Sequence, residues 1–376
     1  MVLLAQACYT KFRSKILIIF IIIPLLSASE IKSDELRLQN PETFLPTVVI
    51  AMMVRNKALA LPYFLSSLEQ LDYPKDRISL WIRSDHNEDQ SLSILRHWLP
   101  TVENKYHAVD AELLTSPPTL FSDESGPTNW SSFRFLHMIR LREEALTHAR
   151  NTWADYIWML DSDAFFVNNQ TLLDLVKQDL TISAPMLRSD GLYSNFWCGM
   201  SEDFYYIRTE DYKPILYRER TGCFPVPMVH SAVLINLRHK ASGLLTYMDE
   251  QIPDYNGPED DIITLALGAK HFGVPMHICN LENYGYLTAP LEEDQSLDVD
   301  ETHLVNIKLE AIVDHDGFPL SSDLSRFVTF PEKDSAGLDE VFMINLERRP
   351  DRRHRMRGCF RELGLLATEV NAVDGR

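Results

Sequence analysis

Two acidic groupings in this sequence have the types and spacing to do chemistry. The first is Asp161-Ser162-Asp163, which closes the apolar run Tyr156–Leu160 and precedes Ala164-Phe165-Phe166. Side chains alternate along a strand, so Asp161 and Asp163 share one side while Ser162 faces the other. Two carboxylates this close repel unless a cation lies between them and a partner anion. Mg²⁺ or Mn²⁺ held by one or two carboxylates plus substrate phosphates is the usual arrangement. A lone Asp-x-Asp is common in acidic turns; here the strand before it and the aromatics after it favour a metal-binding reading. The second grouping is Glu259-Asp260-Asp261, at the start of the helical stretch Ile262–Ala269. Acidic residues there serve as caps and dipole partners. Alternatively, Asp260 or Asp261 is a general base that takes the proton of an acceptor hydroxyl. The sequence does not choose between the two.

These residues need a scaffold that brings strand ends together. Thr47–Val54 is a continuous apolar run, as in a strand buried on both faces. Asn56–Gln70 has apolar residues at helical spacing, Ile78–Ile82 reads as a strand and Ser91–Trp98 as a helix. A short strand is expected within Val102–Val109, then an amphipathic helix over Ser131–Thr147 and a strand over Tyr156–Leu160. That alternation predicts an α/β domain with a mostly parallel sheet. Later strands are expected at Thr181–Ala184, Ser231–Leu237 and Val274–Cys279, with a helix at Asp261–Ala269. Ligands of open α/β sheets bind at the carboxyl ends of the strands. Arg55 and Asn56 follow the first strand and Asp85 the second, so they are candidates for nucleotide contacts; an exposed arginine and a turn aspartate are the plain alternatives. His230, before Ser231–Leu237, is a candidate third metal ligand, although a lone histidine at a strand edge is more often structural. The six aromatics within 193–206 suit a sugar, an extended peptide or simply a packed core. No GxGxxG and no P-loop occurs, so dinucleotide and ordinary ATP binding lose their main support. The carboxylate geometry instead suggests a GT-A-type nucleotide-sugar transferase, with a metal bridging the two phosphates.

Composition sets the outer bounds. The chain has 376 residues, 45% of them hydrophobic, and 36 Lys+Arg against 54 Asp+Glu give a net charge of −18. Bulk disorder is thereby excluded, and no basic footprint for nucleic acid exists. Lys11, Arg13 and Lys15, an apolar stretch Ile16–Leu26 and then Ser27-Ala28-Ser29 read as a secretory signal peptide over residues 1–29. An uncleaved anchor is the rival, but the stretch covers only about half of a bilayer core of about 30 Å. No stable membrane span is expected after cleavage. Asn129 and Asn169 head glycosylation sequons in loop-like stretches. Cys198 and Cys223 are close enough in sequence for a short-loop disulfide, with free buried thiols the alternative.

The residues also carry a resemblance. The stretches VVIAMMVRNKALALPYFLSSLEQLDYPKDRISLWIRSDHNED, YIWMLDSDAFF, YSNFWCGM, GCFPVPMVHSAVLINLR and DEVFMINLERRPDRR, with the closing AVDG, span nearly the whole chain after the leader. The sequence resembles the animal collagen galactosyltransferases of glycosyltransferase family 25. The resemblance implies transfer of galactose from UDP-galactose to 5-hydroxylysine of collagen, with inversion and Mn²⁺ (or Mg²⁺), in the endoplasmic reticulum lumen. It carries the metal role onto Asp161 and Asp163; roles for Arg55, Asp85, Asp260 and His230 rest on local context. The fold expected is a GT-A-type, Rossmann-like mixed sheet, followed by the truncated start of a second glycosyltransferase-like domain. The corresponding segments are a linker at 30–45, the first domain at 46–313, a linker at 314–338 and the incomplete second domain at 339–376. Two rivals are a catalytically inactive transferase-like binding or adhesion module, and a metal-dependent hydrolase using the same carboxylates.

Overall fold

The first strand, β1 (Val48–Val54), is buried at every position, as its unbroken apolar run predicts for a strand covered on both faces. The computed structural model describes residues 45–115, 119–292 and 295–373. The expected signal peptide, and the expected linker up to residue 44, lie outside them. After β1 come α1 (Leu61–Glu69), β2 (Ile78–Ser84), α2 (Ser91–Val102), β3 (Ala108–Leu113), α3 (Ser132–Asn151) and β4 (Tyr156–Asp161). This is the alternation expected from the apolar pattern. β3 begins later than expected because α2 runs on through Pro100 to Val102. Val102 lies one turn beyond Trp98, both are buried, and the extra turn completes the helix's apolar face.

The chain continues through β5 (Ala164–Phe166), α4 (Thr171–Lys177), β6 (Ile182–Pro185), β7 (Leu187–Arg188), β8 (Phe196–Trp197), β9 (Gly199–Met200) and β10 (Tyr206–Ile207). Next are α5 (Tyr212–Leu216), β11 (Cys223–Val226), β12 (Met228–Val229), β13 (Ala232–Asn236), α6 (Asp261–His271), β14 (Met276–Cys279) and β15 (Gly285–Leu287). α7 (Leu297–His315), β16 (Phe342–Asn345), α8 (Pro350–Glu362) and β17 (Thr368–Asn371) close the described chain.

Eight strands form one mixed sheet in the order β11-β14-β6-β13-β4-β1-β2-β3. β4, β1, β2 and β3 run parallel, so their carboxyl ends share one edge. β13 runs antiparallel to both β4 and β6, so its amino end meets that same edge. A small sheet, β5-β15-β7, stands beside it. Large buried side chains such as Trp81, Trp98, Trp158 and Phe64 fill the space between sheet and helices. The fold belongs to the unit that begins at Thr47. α7 runs past residue 313, and α8 joins β16 to the parallel β17. Lys308 of α7 and Glu362 of α8 form a nearly buried ion pair between the two helices. Among the described residues, no helix is long and apolar enough to cross a membrane.

The cysteine pairing differs from the expected one. Cys223 bonds to Cys279, and Cys198 is free. The reason is register: β11 and β14 are antiparallel, and Cys223 lies directly opposite Cys279. Proximity along the chain favoured Cys198, but cross-strand position decides.

Candidate functional site

Parallel neighbours lie about 4.8 Å apart, so β2 and β4, on either side of β1, end about 10 Å from each other. Into this gap project Arg55, Asn56 and Lys57 after β1, Asp85 after β2, and Asp161 at the tip of β4. They line a cavity of about 280 Å³ together with Asp163, Tyr193, His230 and Asp261. A larger cavity of about 770 Å³ opens between α7 and α8, but the two linings share no residue. The concentration of carboxylates at strand ends, rather than volume, marks the smaller one as the candidate site.

Both residues of the acidic pair face this cleft, and each is met by a cation of the chain itself. The Asp161 carboxylate accepts from Arg142 Nη2 at 2.9 Å. Its backbone amide donates to the Ser231 carbonyl at 2.8 Å, which ties the tip of β4 to the start of β13. Burial pushes the Asp161 carboxyl up, but the Arg142 charge and hydrogen bonds from Ser231 and Arg142 outweigh it and hold the group below the usual range. Asp163 accepts from Lys57 Nζ at 2.7 Å and from the Thr288 hydroxyl at 3.0 Å. Lys57 also lies 3.6 Å from Asp300. Burial works against the Lys57 charge, yet Asp163 and Asp300 raise its pKa well above the ordinary lysine value. Thr288 reaches Asp163 because β15 closes tightly on β5. A Cβ at Gly285 would collide with the Phe165 carbonyl oxygen, so only glycine allows that approach.

Arg142 organises the centre of the site. It is nearly buried and bonds to Asp261 as well as Asp161. Its position on α3 follows the buried stripe Ile139, Arg142, Ala145, Leu146 and Ala149. A charged residue at a core position of an amphipathic helix is therefore the sequence signal that would have singled it out. Lys57 carried no comparable signal, since nothing in the sequence pairs it with β5 or α7.

The structure gives Asp260 the capping role and sets Asp261 in the cleft. Asp260 is the N-cap of α6, its Oδ1 accepting from Ile262 and Ile263 amides, both at 2.9 Å. Burial and the neighbouring Asp261 charge push its carboxyl up to about 6. Asp261 is buried against Arg142 and lines the cleft. His230 is buried and lines it too, with Nδ1 at 2.9 Å from the Ser231 hydroxyl. Burial lowers its pKa to about 4, so it is neutral near pH 7.

The residues after β1 and β2 form a stapled wall. Arg55 makes a two-pronged contact with Glu124, both bonds at 2.7 Å, and donates to the carbonyls of Thr119 and His86. Asn56 accepts from the Glu88 amide and its own amide donates to Asn87 Oδ1, each at 2.9 Å. Asp85 has His86 Nδ1 at 2.9 Å and His137 Nε2 at 2.7 Å; neither histidine stood out in the sequence. The aromatic run splits three ways. Tyr193 faces the cleft, Phe196 stacks on Tyr212 inside the core, and Tyr205 is 73% exposed. Of the sequon residues, Asn169 is exposed and Asn129 half-buried, next to Thr128 and Trp130 on the cavity wall.

Residues 45–308 match the family model described as "Glycosyltransferase family 25, N-terminal domain". The chain belongs to glycosyltransferase family 25. A glycosyltransferase 25 family member of Aedes aegypti is 49% identical over 333 residues, covering 88% of this chain and 55% of that protein. Procollagen galactosyltransferase 2 of Homo sapiens is 46% identical over 331 residues, covering 88% and 52%. A Bos taurus protein named probable inactive glycosyltransferase 25 family member 3 is 44% identical over 332 residues, covering 88% and 55%. The chain spans about half the length of the curated relatives it matches. Among solved structures, residues 1–349 of S. aureus TarS align with a TM-score of 0.39 at 15% identity, covering 72% of this chain and 66% of that one.

Proposed function

We propose that this chain carries the donor site of a metal-dependent, inverting galactosyltransferase. It would take UDP-galactose as donor and 5-hydroxylysine of a collagen-like polypeptide as acceptor, in the endoplasmic reticulum lumen. One observation carries the reading: Asp161 and Asp163 converge at the carboxyl edge of the parallel strands of a mixed sheet, in a cleft that also holds Asp261. The printed names of relatives at 46% identity supply the donor and acceptor class. The Cys223–Cys279 disulfide supports an oxidising compartment.

The acidic pair fits a hard divalent cation. Its donors are carboxylate oxygens, and Asp163 already has a positive group, the Lys57 ammonium, at 2.7 Å. Mn²⁺ or Mg²⁺ held by Asp161 and Asp163 would neutralise charge on the departing diphosphate. The chain's own residues do the rest. Arg142 fixes the orientation of Asp161 and keeps it ionised. Arg55 and Asn56 hold the wall along the nucleotide side. Inversion requires a base on the acceptor side and no enzyme nucleophile. Asp261 has the position for that role, facing the cleft, while Asp260 has the basicity, with its carboxyl pushed up to about 6.

A second reading, a transferase-like binding module, draws on the ion pairs that already satisfy both carboxylates. Calorimetric titration of the purified chain with UDP-galactose, with and without Mn²⁺, separates the two. The expected result is Mn²⁺-dependent binding that disappears in a folded Asp161→Asn/Asp163→Asn variant. No binding by the folded wild-type chain sinks the donor-site reading and leaves the binding module.

A further inference from the structure

The cleft has a nitrogen-rich corner that the proposed transfer leaves unused. Asp85, at the end of β2, presents Oδ1 to His86 Nδ1 at 2.9 Å and Oδ2 to His137 Nε2 at 2.7 Å. One ligand atom from each of the three residues lies within 4.8 Å of the others. Two separate elements build the group, since His137 comes from α3, 52 residues further along the chain.

Both rings are held in place by packing. His86 stacks on Phe121 with centroids 4.0 Å apart and planes 25° apart, and His137 lies 5.3 Å from the same ring. The side chains of Asp85 and His86 are 12% and 11% exposed, while that of His137 is 29% exposed. Asp85 and His137 line the cavity, so an ion would enter from their side while His86 is held behind them against Phe121. Two imidazole nitrogens and one carboxylate, with a free approach, is the donor set of three-ligand zinc sites.

We propose that Asp85, His86 and His137 form a second divalent-cation site, selective for the zinc class of ions and distinct from the Asp161/Asp163 pair. Donor chemistry separates the two. Carboxylate oxygens suit Mg²⁺ and Mn²⁺, whereas imidazole nitrogens favour Zn²⁺ and Co²⁺. Bonds of about 2.1 Å to a tetrahedral ion set ligand atoms about 3.4 Å apart, so the two carboxylate–imidazole contacts, at 2.9 and 2.7 Å, must open by roughly half an ångström or slightly more. The three ligand atoms already lie within 4.8 Å of one another. The site assigns Asp85 to a cation instead of to uracil or ribose hydroxyls.

The test is titration of the metal-stripped full chain with Co²⁺, read by visible absorption and by competition with Zn²⁺. One Co²⁺ with a nitrogen-ligand spectrum is expected, displaced by Zn²⁺ and retained in Asp161→Asn/Asp163→Asn. His86→Ala should weaken it by more than about a hundredfold, beyond the effect of losing an outer-shell partner. His137→Gln keeps a hydrogen-bond donor toward Asp85 and guards against simple misfolding; it should lose the ion with its melting curve intact. Unchanged Co²⁺ affinity in His137→Gln, or a spectrum lost only with the Asp161/Asp163 pair, overturns the site. So does metal-free uridine binding that disappears in His137→Gln, because the corner would then recognise the nucleobase.

Discussion

Replacing Arg142 by methionine tests the central claim about the site, that one buried guanidinium holds two carboxylates in place. Arg142 is 6% exposed and Asp261 3% exposed. The Asp161 side chain, at 30%, keeps some contact with solvent, so most of the penalty falls on Asp261. Breaking a buried pair by removing one partner costs about 3–5 kcal/mol, because a charge is left unpaired in low dielectric. At about 2 °C per kcal/mol for a chain of this size, the melting temperature should fall by about 6–10 °C near neutral pH. The pH dependence gives the argument its sign. In the wild type the Asp161 carboxyl lies below its ordinary value; its stabilisation is present above the unfolded pKa and lost as pH falls through the folded one. In Arg142→Met the Asp161 carboxylate loses that partner, burial alone then works against its charge, and protonation relieves it. The deficit should therefore shrink between about pH 7.5 and about pH 5. Calorimetric melts of both proteins across that range make the measurement. The double variant Arg142→Met/Asp261→Asn, which removes the stranded charge, should recover at least half of the loss. A neutral-pH deficit below about 1 kcal/mol would refute the bridging role, as would one that grows toward acid.

Two further outcomes follow from the same structure. Asp260→Ala should cost about 1 kcal/mol through the lost cap, whereas Asp260→Asn keeps the cap. Because the Asp260 carboxyl is raised to about 6, its contribution is fully present below the unfolded value and lost as pH rises through about 6; melts of wild type and Asp260→Asn that run parallel from pH 4 to 7 would contradict this. Cys223→Ala/Cys279→Ala opens a cross-link spanning 56 residues, worth about 4 kcal/mol on chain-entropy grounds. Cys198→Ala should leave the melting temperature within about 1 °C; if it reproduced the loss instead, Cys198 would be in the disulfide.

The parts of the fold that were legible are those written in local pattern. β1 and β4 are unbroken apolar runs, and the Asp161-Ser162-Asp163 turn announces itself at the end of one. What was not legible depends on strand direction and register. The run Ser231–Leu237 reads as a strand, but nothing in it states that β13 runs antiparallel to β4 and so delivers His230 and Ser231 to the carboxyl edge. The same blindness left the disulfide pairing open, since only the β11–β14 register sets Cys223 opposite Cys279. Short strands such as β5, β7 and β15 have too few residues to show a period, yet they bring Thr288 to Asp163. Arg142 was within reach, because its helical stripe is apolar on both sides of it. His86 and His137 were not, as 52 residues separate Asp85 from His137 and only packing on Phe121 unites the rings.

On the proposed reading, charge balance makes a cation matter more here than in a basic cleft. The chain carries a net charge of −18, and a nucleotide diphosphate adds to the repulsion. Five cationic side chains line the cavity among the described residues: Arg55, Lys57, Arg83, Arg134 and Arg142. Every one of them is paired with a carboxylate of the chain. Arg55 and Arg134 meet Glu124, Arg83 meets Asp110 and Glu144, and Arg142 meets Asp161 and Asp261. Lys57 is shared between Asp163 and Asp300. A diphosphate entering this cleft must then either break one of these pairs or arrive with positive charge of its own. Breaking the Arg142 pairs would strand buried carboxylates, and breaking the Arg55 pair would loosen the segment that Glu124 anchors. The Lys57–Asp300 contact is the longest of those made by Lys57, at 3.6 Å, and a cation taken up by Asp163 would compete directly with that ammonium. Lys57 displaced in this way keeps Asp300 as its remaining carboxylate partner. On the proposed donor-site reading, diphosphate binding should require the cation, which is why the Mn²⁺-free arm of the titration decides between a donor site and a passive fold.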